Sequence, residues 1–225
     1  MYKHELKRDS VAIMKEKSEH NKRYEHITGV ILAGGSSKRY GQNKAFLKIG
    51  SVRLIDSILQ EMKTIFKRVI LITNEKKKYE YLEIPMFEDL VKGLGPLGGI
   101  YTGLMSIPDQ AGFFVACDMP RINRQLVRYM VDIKGNHRAV VPSVADKIEP
   151  LHAIYFRSCL KPIRHLIDSK RYHVRLFYDS IPVRYVKEDE IRKFCCPSKA
   201  FLNINTPDEF AKFNLLLKHK VKTVK

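Results

Sequence analysis

Short apolar runs that alternate with helical patterns are what most narrows the folds open to this chain. Ile27–Leu32 reads as a buried strand, and Leu54–Phe66 carries Leu54, Ile55, Ile58, Leu59, Met62 and Ile65 on one helical stripe. Arg68–Thr73 (RVILIT) is a second strand, Ile84–Phe87 a weak third and Phe113–Cys117 a strong one. Gly99–Ile107 and Gln125–Ile133 have helical spacing, and Ala139–Pro142 and Leu151–Phe156 are further strands. The alternation predicts an α/β fold in three layers, a mostly parallel sheet with helices on both faces. In such sheets ligands bind outside the carboxyl ends of the strands. The loops just after the strands are therefore where chemistry is to be sought.

The chain has 225 residues, 44% of them apolar and 29% charged. That excludes a collagen, a mucin-like stalk or a wholly disordered chain, and suits one domain or two small ones. No apolar run approaches the roughly 20 residues that span a bilayer, and MYKHELKRDS lacks the apolar stretch of a secretory signal. The expected location is the cytoplasm, without membrane attachment. The 41 basic and 24 acidic residues leave a net charge of +17, which points to anionic partners or simply to a basic composition. Cys117, Cys159, Cys195 and Cys196 form no metal-ligand spacing and read as reduced thiols, Cys117 as a core residue. Residues 1–26 read as a basic extension, 27–215 as the folded domain and 216–225 as a basic tail.

The loop after the first strand reads Leu32-Ala33-Gly34-Gly35-Ser36-Ser37-Lys38-Arg39-Tyr40-Gly41-Gln42-Asn43-Lys44. Adjacent glycines let backbone N–H groups approach a ligand, and successive N–H groups form an anion-binding nest. With the serines, Arg39 and the lysines, this describes a cradle for a polyphosphate. It is not a Walker loop, because Gly35 and Gly41 are wrongly spaced and Lys44 is followed by Ala45.

Asp118 ends the strand at 113–117, and Pro120 forces the chain away from the sheet. A carboxylate beside a phosphate cradle suits Mg²⁺, with phosphates supplying further oxygens. The competing role for Asp118 is to cap a helix beginning near Ile122. Asn74, Glu88 and Asp89 follow the second and third strands and are either turn residues or contacts to a base or ribose. Gly93, Gly95 and Gly98 fit G-x-G-x-x-G, but no strand leads directly into them and Pro96 sits inside, so a dinucleotide site is not expected.

Together, L-A-G-G-x-S-x-R-Y-G-x-N-K at 32–44, E-D at 88–89, G-P-L-G-G-I at 95–100 and C-D-M-P at 117–120 resemble the molybdenum cofactor guanylyltransferases, members of the nucleotidyltransferases with a Rossmann-like fold. Glu149-Pro150-Leu151 and Asn203-Ile204-Asn205-Thr206-Pro207 look like later signatures of that family. The resemblance implies that Leu32, Ala33, Gly34 and Gly35 hold the nucleotide, that Lys44 contacts its triphosphate and that Asn74 and Asp89 lie at nucleotide-contacting positions. It further implies that Asp118 binds GTP and Mg²⁺ and that Arg39 stabilises the departing pyrophosphate. Asn203 and Asn205 match a motif near the same site. Tyr40 and Asn43 depart from the pattern, where the family more often has Met and Asp.

The implied reaction transfers GMP from GTP to a molybdopterin-type cofactor and releases pyrophosphate; molybdoenzymes or their chaperones are further partners that the resemblance suggests. No general base is needed, since a phosphate nucleophile is already ionised, and His137, His152, His165 and His173 read as structural or surface residues. Two alternatives are a cytidylyltransferase or other cofactor or sugar nucleotidyltransferase of the same fold, and a basic nucleic-acid-binding protein. The latter lacks a helix-turn-helix, RNA-binding sheet or finger motif.

Overall fold

The computed structural model describes residues 23–34, 43–204 and 209–210. Most of the extension, Gly35 and Arg39 of the glycine loop, Asn205 and the C-terminal tail lie outside them. Seven strands form one continuous path through the sheet, in the order β10-β7-β9-β6-β1-β4-β5. These are β1 (Ile27–Leu32), β4 (Val69–Ile72), β5 (Met86–Phe87), β6 (Ala111–Ala116), β7 (Ala139–Val144), β9 (His152–Phe156) and β10 (Val183–Val186). The short β8 (Lys147–Ile148) pairs with β7, and β2 (Lys48–Ile49) and β3 (Val52–Arg53) make a separate hairpin. β1 pairs in parallel with β4 and β6, as do β4 with β5 and β7 with β10. β9 runs antiparallel between β6 and β7. The chain enters slightly ahead of β1, where Tyr24 forms a bridge with Phe66.

The strands read as unbroken apolar runs because both faces of the sheet are covered. On one face Ile31, Phe113, Val115 and Ile154 meet α1 (Leu54–Ile65) and α3 (Arg124–Asp132), through Ile55, Ile58, Met62, Leu126 and Met130. On the other, Val30, Leu32, Phe114 and Tyr155 meet α2 (Pro96–Ser106) and α4 (Leu160–Asp168), through Leu97, Ile100, Leu104 and Ile163. Consecutive residues divide between the layers, Phe113 to one and Phe114 to the other, as the two-residue period of a strand requires. The helix expected at Gly99–Ile107 begins three residues earlier, at Pro96, whose fixed φ suits a first helical position.

The second helical layer sits close to the sheet because of Gly103. A Cβ there would lie 2.5 Å from Cε1 of Phe114 and 3.0 Å from Cγ1 of Val30. Gly103→Ala should therefore cost about 1–3 kcal/mol of stability through overpacking, read by chemical denaturation.

His152 is buried edge-on between Phe113 and Phe201, with ring centroids 5.1 and 5.2 Å away. Neither ring nitrogen has a hydrogen-bond partner. Burial pushes its pKa down to about 4. The folded state thus takes up this proton less readily than the unfolded chain, and stability is retained above pH 6.5 and lost as the pH falls towards 4. This residue should remove about 3 kcal/mol over that window, at about 1.4 kcal/mol per unit. His152→Leu should abolish that part of the acid sensitivity, measured as the difference in urea unfolding between pH 7 and pH 4.5.

Candidate active site

The register of three parallel strands builds the site. Leu32 pairs with Ile72 on one side and Ala116 on the other. Two residues beyond this row stand Gly34, Asn74 and Asp118. Adjacent strands lie about 4.8 Å apart, so these three emerge from neighbouring tips on one edge. The tips are knitted together one residue past the strands: Ala33 N–H donates to Ile72 C=O at 2.9 Å, and Cys117 N–H to Leu32 C=O at 3.0 Å. Gly34 itself is exposed, with open space where a Cβ would lie.

The chain returns to this edge at Asn43, whose side-chain oxygen accepts from Ala45 N–H at 3.1 Å and opens a 3-10 turn over Lys44–Phe46. The turn brings Lys44 Nζ to 3.8 Å from Asp118 Oδ2, with side chains only 15% and 27% exposed. Desolvation raises the Asp118 carboxyl above its ordinary range, and the Lys44 charge offsets part of that. Desolvation also pushes the neighbouring Cys117 thiol up to about 12, so it stays protonated. A charged group held where it is costly to ionise, facing a cation at a strand tip, is the kind of perturbation found at functional sites.

Asp118 does not cap a helix. α3 begins at Arg124, and the Asn123 side chain takes the cap by accepting from Leu126 N–H at 2.9 Å. Instead the Asp118 carbonyl accepts from Ile204 N–H at 3.0 Å, which anchors the Asn203-Ile204 segment beside this tip. The side-chain oxygen of Asn203 is buried without a hydrogen-bond partner.

Asn74 and Asp89 meet as a reciprocal pair. The Asn74 amide donates to Asp89 Oδ2 at 2.8 Å, and Asp89 N–H donates to Asn74 Oδ1 at 3.1 Å. They stand at the carboxyl ends of β4 and β5, Asn74 exposed and Asp89 half-buried. The glycines at 93 and 95 lie in the loop between β5 and α2, not at the end of a strand that runs into a helix, so the dinucleotide pattern has no structural counterpart.

A model of the MobA-like NTP transferase domain matches residues 29–183. The chain belongs to this family. A probable molybdenum cofactor guanylyltransferase of Pelotomaculum thermopropionicum is 34% identical over 189 residues, covering 84% of this chain and 92% of the relative. A molybdenum cofactor guanylyltransferase of Syntrophotalea carbinolica is 32% identical over 188 residues, covering 83% and 90%. Among solved structures, molybdopterin-guanine dinucleotide biosynthesis protein A of Archaeoglobus fulgidus has a TM-score of 0.75 at 24% identity, over 86% of this chain and 100% of that one. A 4-diphosphocytidyl-2C-methyl-D-erythritol synthase of Anaerococcus prevotii has a TM-score of 0.67 at 12% identity, over 86% and 96%. At these identities the solved structures speak for the fold, which is the α/β nucleotidyltransferase fold with a mostly parallel sheet. As a MobA-like NTP transferase, the chain is an enzyme.

The turn at Glu149-Pro150-Leu151, which the sequence offered only as a family signature without a role, lies on the same edge. Leu151 C=O accepts from Ala116 N–H at 3.1 Å and Glu149 N–H donates to Pro142 C=O at 2.9 Å, so the turn bridges the tips of β6 and β7. Tyr155 OH donates to Pro150 C=O at 2.8 Å, and the Tyr155 and Tyr178 hydroxyls are hydrogen-bonded to each other. Desolvation raises the half-buried Glu149 carboxyl, with Arg175 and Lys147 acting against it. An open cavity of about 400 Å³ lies beyond the turn, lined among others by Ser143, Asp146, Arg175, Tyr178 and Lys187. Only the order of the strands could reveal these neighbours. Among the described residues no helix is long and apolar enough to cross a membrane, and no group of three His, Cys, Asp or Glu side chains could hold a metal.

Because Lys44 is, among the described residues, the charge that holds the Asp118 carboxyl down against desolvation, Lys44→Met should raise that carboxyl further. Titration of Asp118 by NMR in wild type and variant checks the direction.

Proposed function

We propose that this protein transfers GMP from GTP to a molybdopterin-type acceptor and releases pyrophosphate, in the cytoplasm and with Mg²⁺. The observation that carries this is the Lys44–Asp118 pair at the tip of β6, beside the backbone at Ala33 and Gly34. The names of the relatives in Pelotomaculum and Syntrophotalea supply the base and the acceptor.

The reaction joins two anions. An oxygen of the acceptor's terminal phosphate forms a bond to the α-phosphorus of GTP, and the bridging bond from that phosphorus to the β-phosphate oxygen breaks. The leaving electron pair stays on pyrophosphate. Catalysis is then chiefly alignment and charge compensation. In this role the backbone at Leu32 and Ala33 anchors the loop in the sheet, the amides at Gly34 and Gly35 grip the triphosphate, Lys44 offsets its charge, and Arg39 takes up the charge that grows on pyrophosphate. Asn74 and Asp89, locked to each other, present the nucleotide with a rigid polar edge.

The donor set suits magnesium. A single desolvated carboxylate at Asp118 leaves most coordination positions to phosphate oxygens, as Mg²⁺ commonly requires, and Asn203 brings an unpaired buried oxygen one residue from the Asp118–Ile204 contact. Bound there, the ion would polarise the α-phosphate. We assign the acceptor to the cavity past the Glu149 turn, whose lining sets Arg175 and Lys187 beside Asp146 and Asp179 and so offers an acceptor both cations and hydrogen-bond acceptors.

Pyrophosphate release should be measured with each of the four nucleoside triphosphates and a molybdopterin acceptor. GTP should be preferred by about 100-fold, since rejection of a base relies on polar groups left unpaired. Turnover with CTP in preference to GTP would replace guanylyl by cytidylyl transfer. Asp118→Asn should lower kcat/KM by about a thousandfold while the thermal unfolding midpoint stays level; undiminished turnover in that variant would remove Asp118 from the chemistry.

A further inference from the structure

Asn43 uses its side chain fully. While its oxygen caps the turn at Ala45, its amide nitrogen donates to Glu75 Oε2 at 2.9 Å and to the Tyr79 hydroxyl at 3.0 Å. Both acceptors stand at the 3-10 segment that follows β4, since Glu75 immediately precedes the 3-10 helix over Lys76–Leu82 and Tyr79 lies within it. Tyr79 is fully buried and stacks on Phe46 with ring centroids 4.9 Å apart. Glu75 is fixed in turn by an ion pair with Lys78 and by its own N–H, which donates to Thr73 Oγ1 at 3.2 Å. The turn that carries Lys44 is thus tied, through one carboxamide, to the strand end that carries Asn74.

We propose that Asn43 is a positioning residue for Lys44, and that Glu75 makes an uncharged donor obligatory at position 43. A carboxylate there would still cap Ala45 and would still accept from Tyr79. Against Glu75, however, it would set two acceptors face to face at hydrogen-bond distance, and like charges so close repel. The relief open to the chain is to move the Lys44–Phe46 turn away from the 75–79 segment, which takes Lys44 from Asp118. Asn43 and Glu75 therefore form a matched pair, and the departure from the family's commoner Asp at this position is offset by its partner. This role rests on the reading of Lys44 as the triphosphate contact.

The test is a double-mutant cycle in the full chain: wild type, Asn43→Asp, Glu75→Gln and the two combined. Binding of inorganic tripolyphosphate by calorimetry reports the placement of Lys44 whatever base or acceptor the enzyme takes, and KM and kcat for GTP report turnover. Asn43→Asp should weaken tripolyphosphate binding and raise KM for GTP by about tenfold. Glu75→Gln should stay within about twofold of wild type, because its side-chain oxygen still accepts from Asn43. The double variant should return to within about twofold of wild type, since the amide introduced at position 75 donates to the carboxylate at 43. An Asn43→Asp protein that binds like wild type, or a double variant no better than Asn43→Asp, overturns the proposal; so does a loss that merely follows a lower melting midpoint in both. If the cycle shows the expected pattern while wild type turns over no GTP, guanylyl transfer fails and the positioning role stands. If wild type turns over GTP without the pattern, the positioning role alone fails.

Discussion

The structure depends on the in-register parallel pairing of β4, β1 and β6. With Leu32 held between Ile72 and Ala116, three chain segments leave the sheet at one level and on one edge. That edge is then closed by backbone hydrogen bonds one residue beyond the strands, so Ala33 and Cys117 cannot drift apart. A slip of a single residue would turn every apolar side chain of β1 to the opposite layer. Since both layers are packed, the burial that stabilises the fold also fixes the site, and Gly34, Asn74 and Asp118 inherit their spacing from the core.

Electrostatics at this edge runs against stability. Asp118 sits in a position where desolvation resists its ionisation, with Lys44 as a partner at 3.8 Å rather than at hydrogen-bond distance. A pair arranged for stability would be closer, or replaced by apolar side chains. On the proposed reading, a ligand with its own charges enters between this carboxylate and ammonium. The surrounding hydrogen bonds are correspondingly firm: Asn43 holds the lysine turn, Ile204 holds the aspartate's backbone, and Asn74 and Asp89 hold each other. Rigidity has been placed around the groups that would meet substrate, which preorganises them.

The inserted antiparallel strand β9 gives the sheet two unlike halves. Its first residue follows the Glu149-Pro150-Leu151 turn, which fills the gap that reversal opens between the tips of β6 and β7. The half with β4, β1 and β6 carries the glycine loop, and the half with β7 and β10 carries the open cavity. On the proposed reading, nucleotide and acceptor would meet across the Glu149 turn, as a group transfer between them requires. The same reversal buries His152 between two phenylalanines without a polar partner, a weakness that acid would expose.

The sequence by itself determined the layers and which strand ends carry the candidate residues. Apolar runs such as Ile27–Leu32 and Phe113–Cys117, a glycine loop after one and an aspartate after the other, are local patterns, and local patterns are set by periodicity and backbone conformation. Even so, whether Asp118 capped a helix or faced the glycine loop was open, because both roles use a carboxylate after a strand. The tertiary structure gives the cap to Asn123 and brings Lys44 to Asp118, which settles the first alternative against Asp118. It alone also decided that Asn43 answers to Glu75 and Tyr79, that β9 runs against its neighbours and that Glu149 joins the site edge. These facts depend on which strand lies beside which. That order follows from how the whole core packs, and no short stretch of sequence contains it.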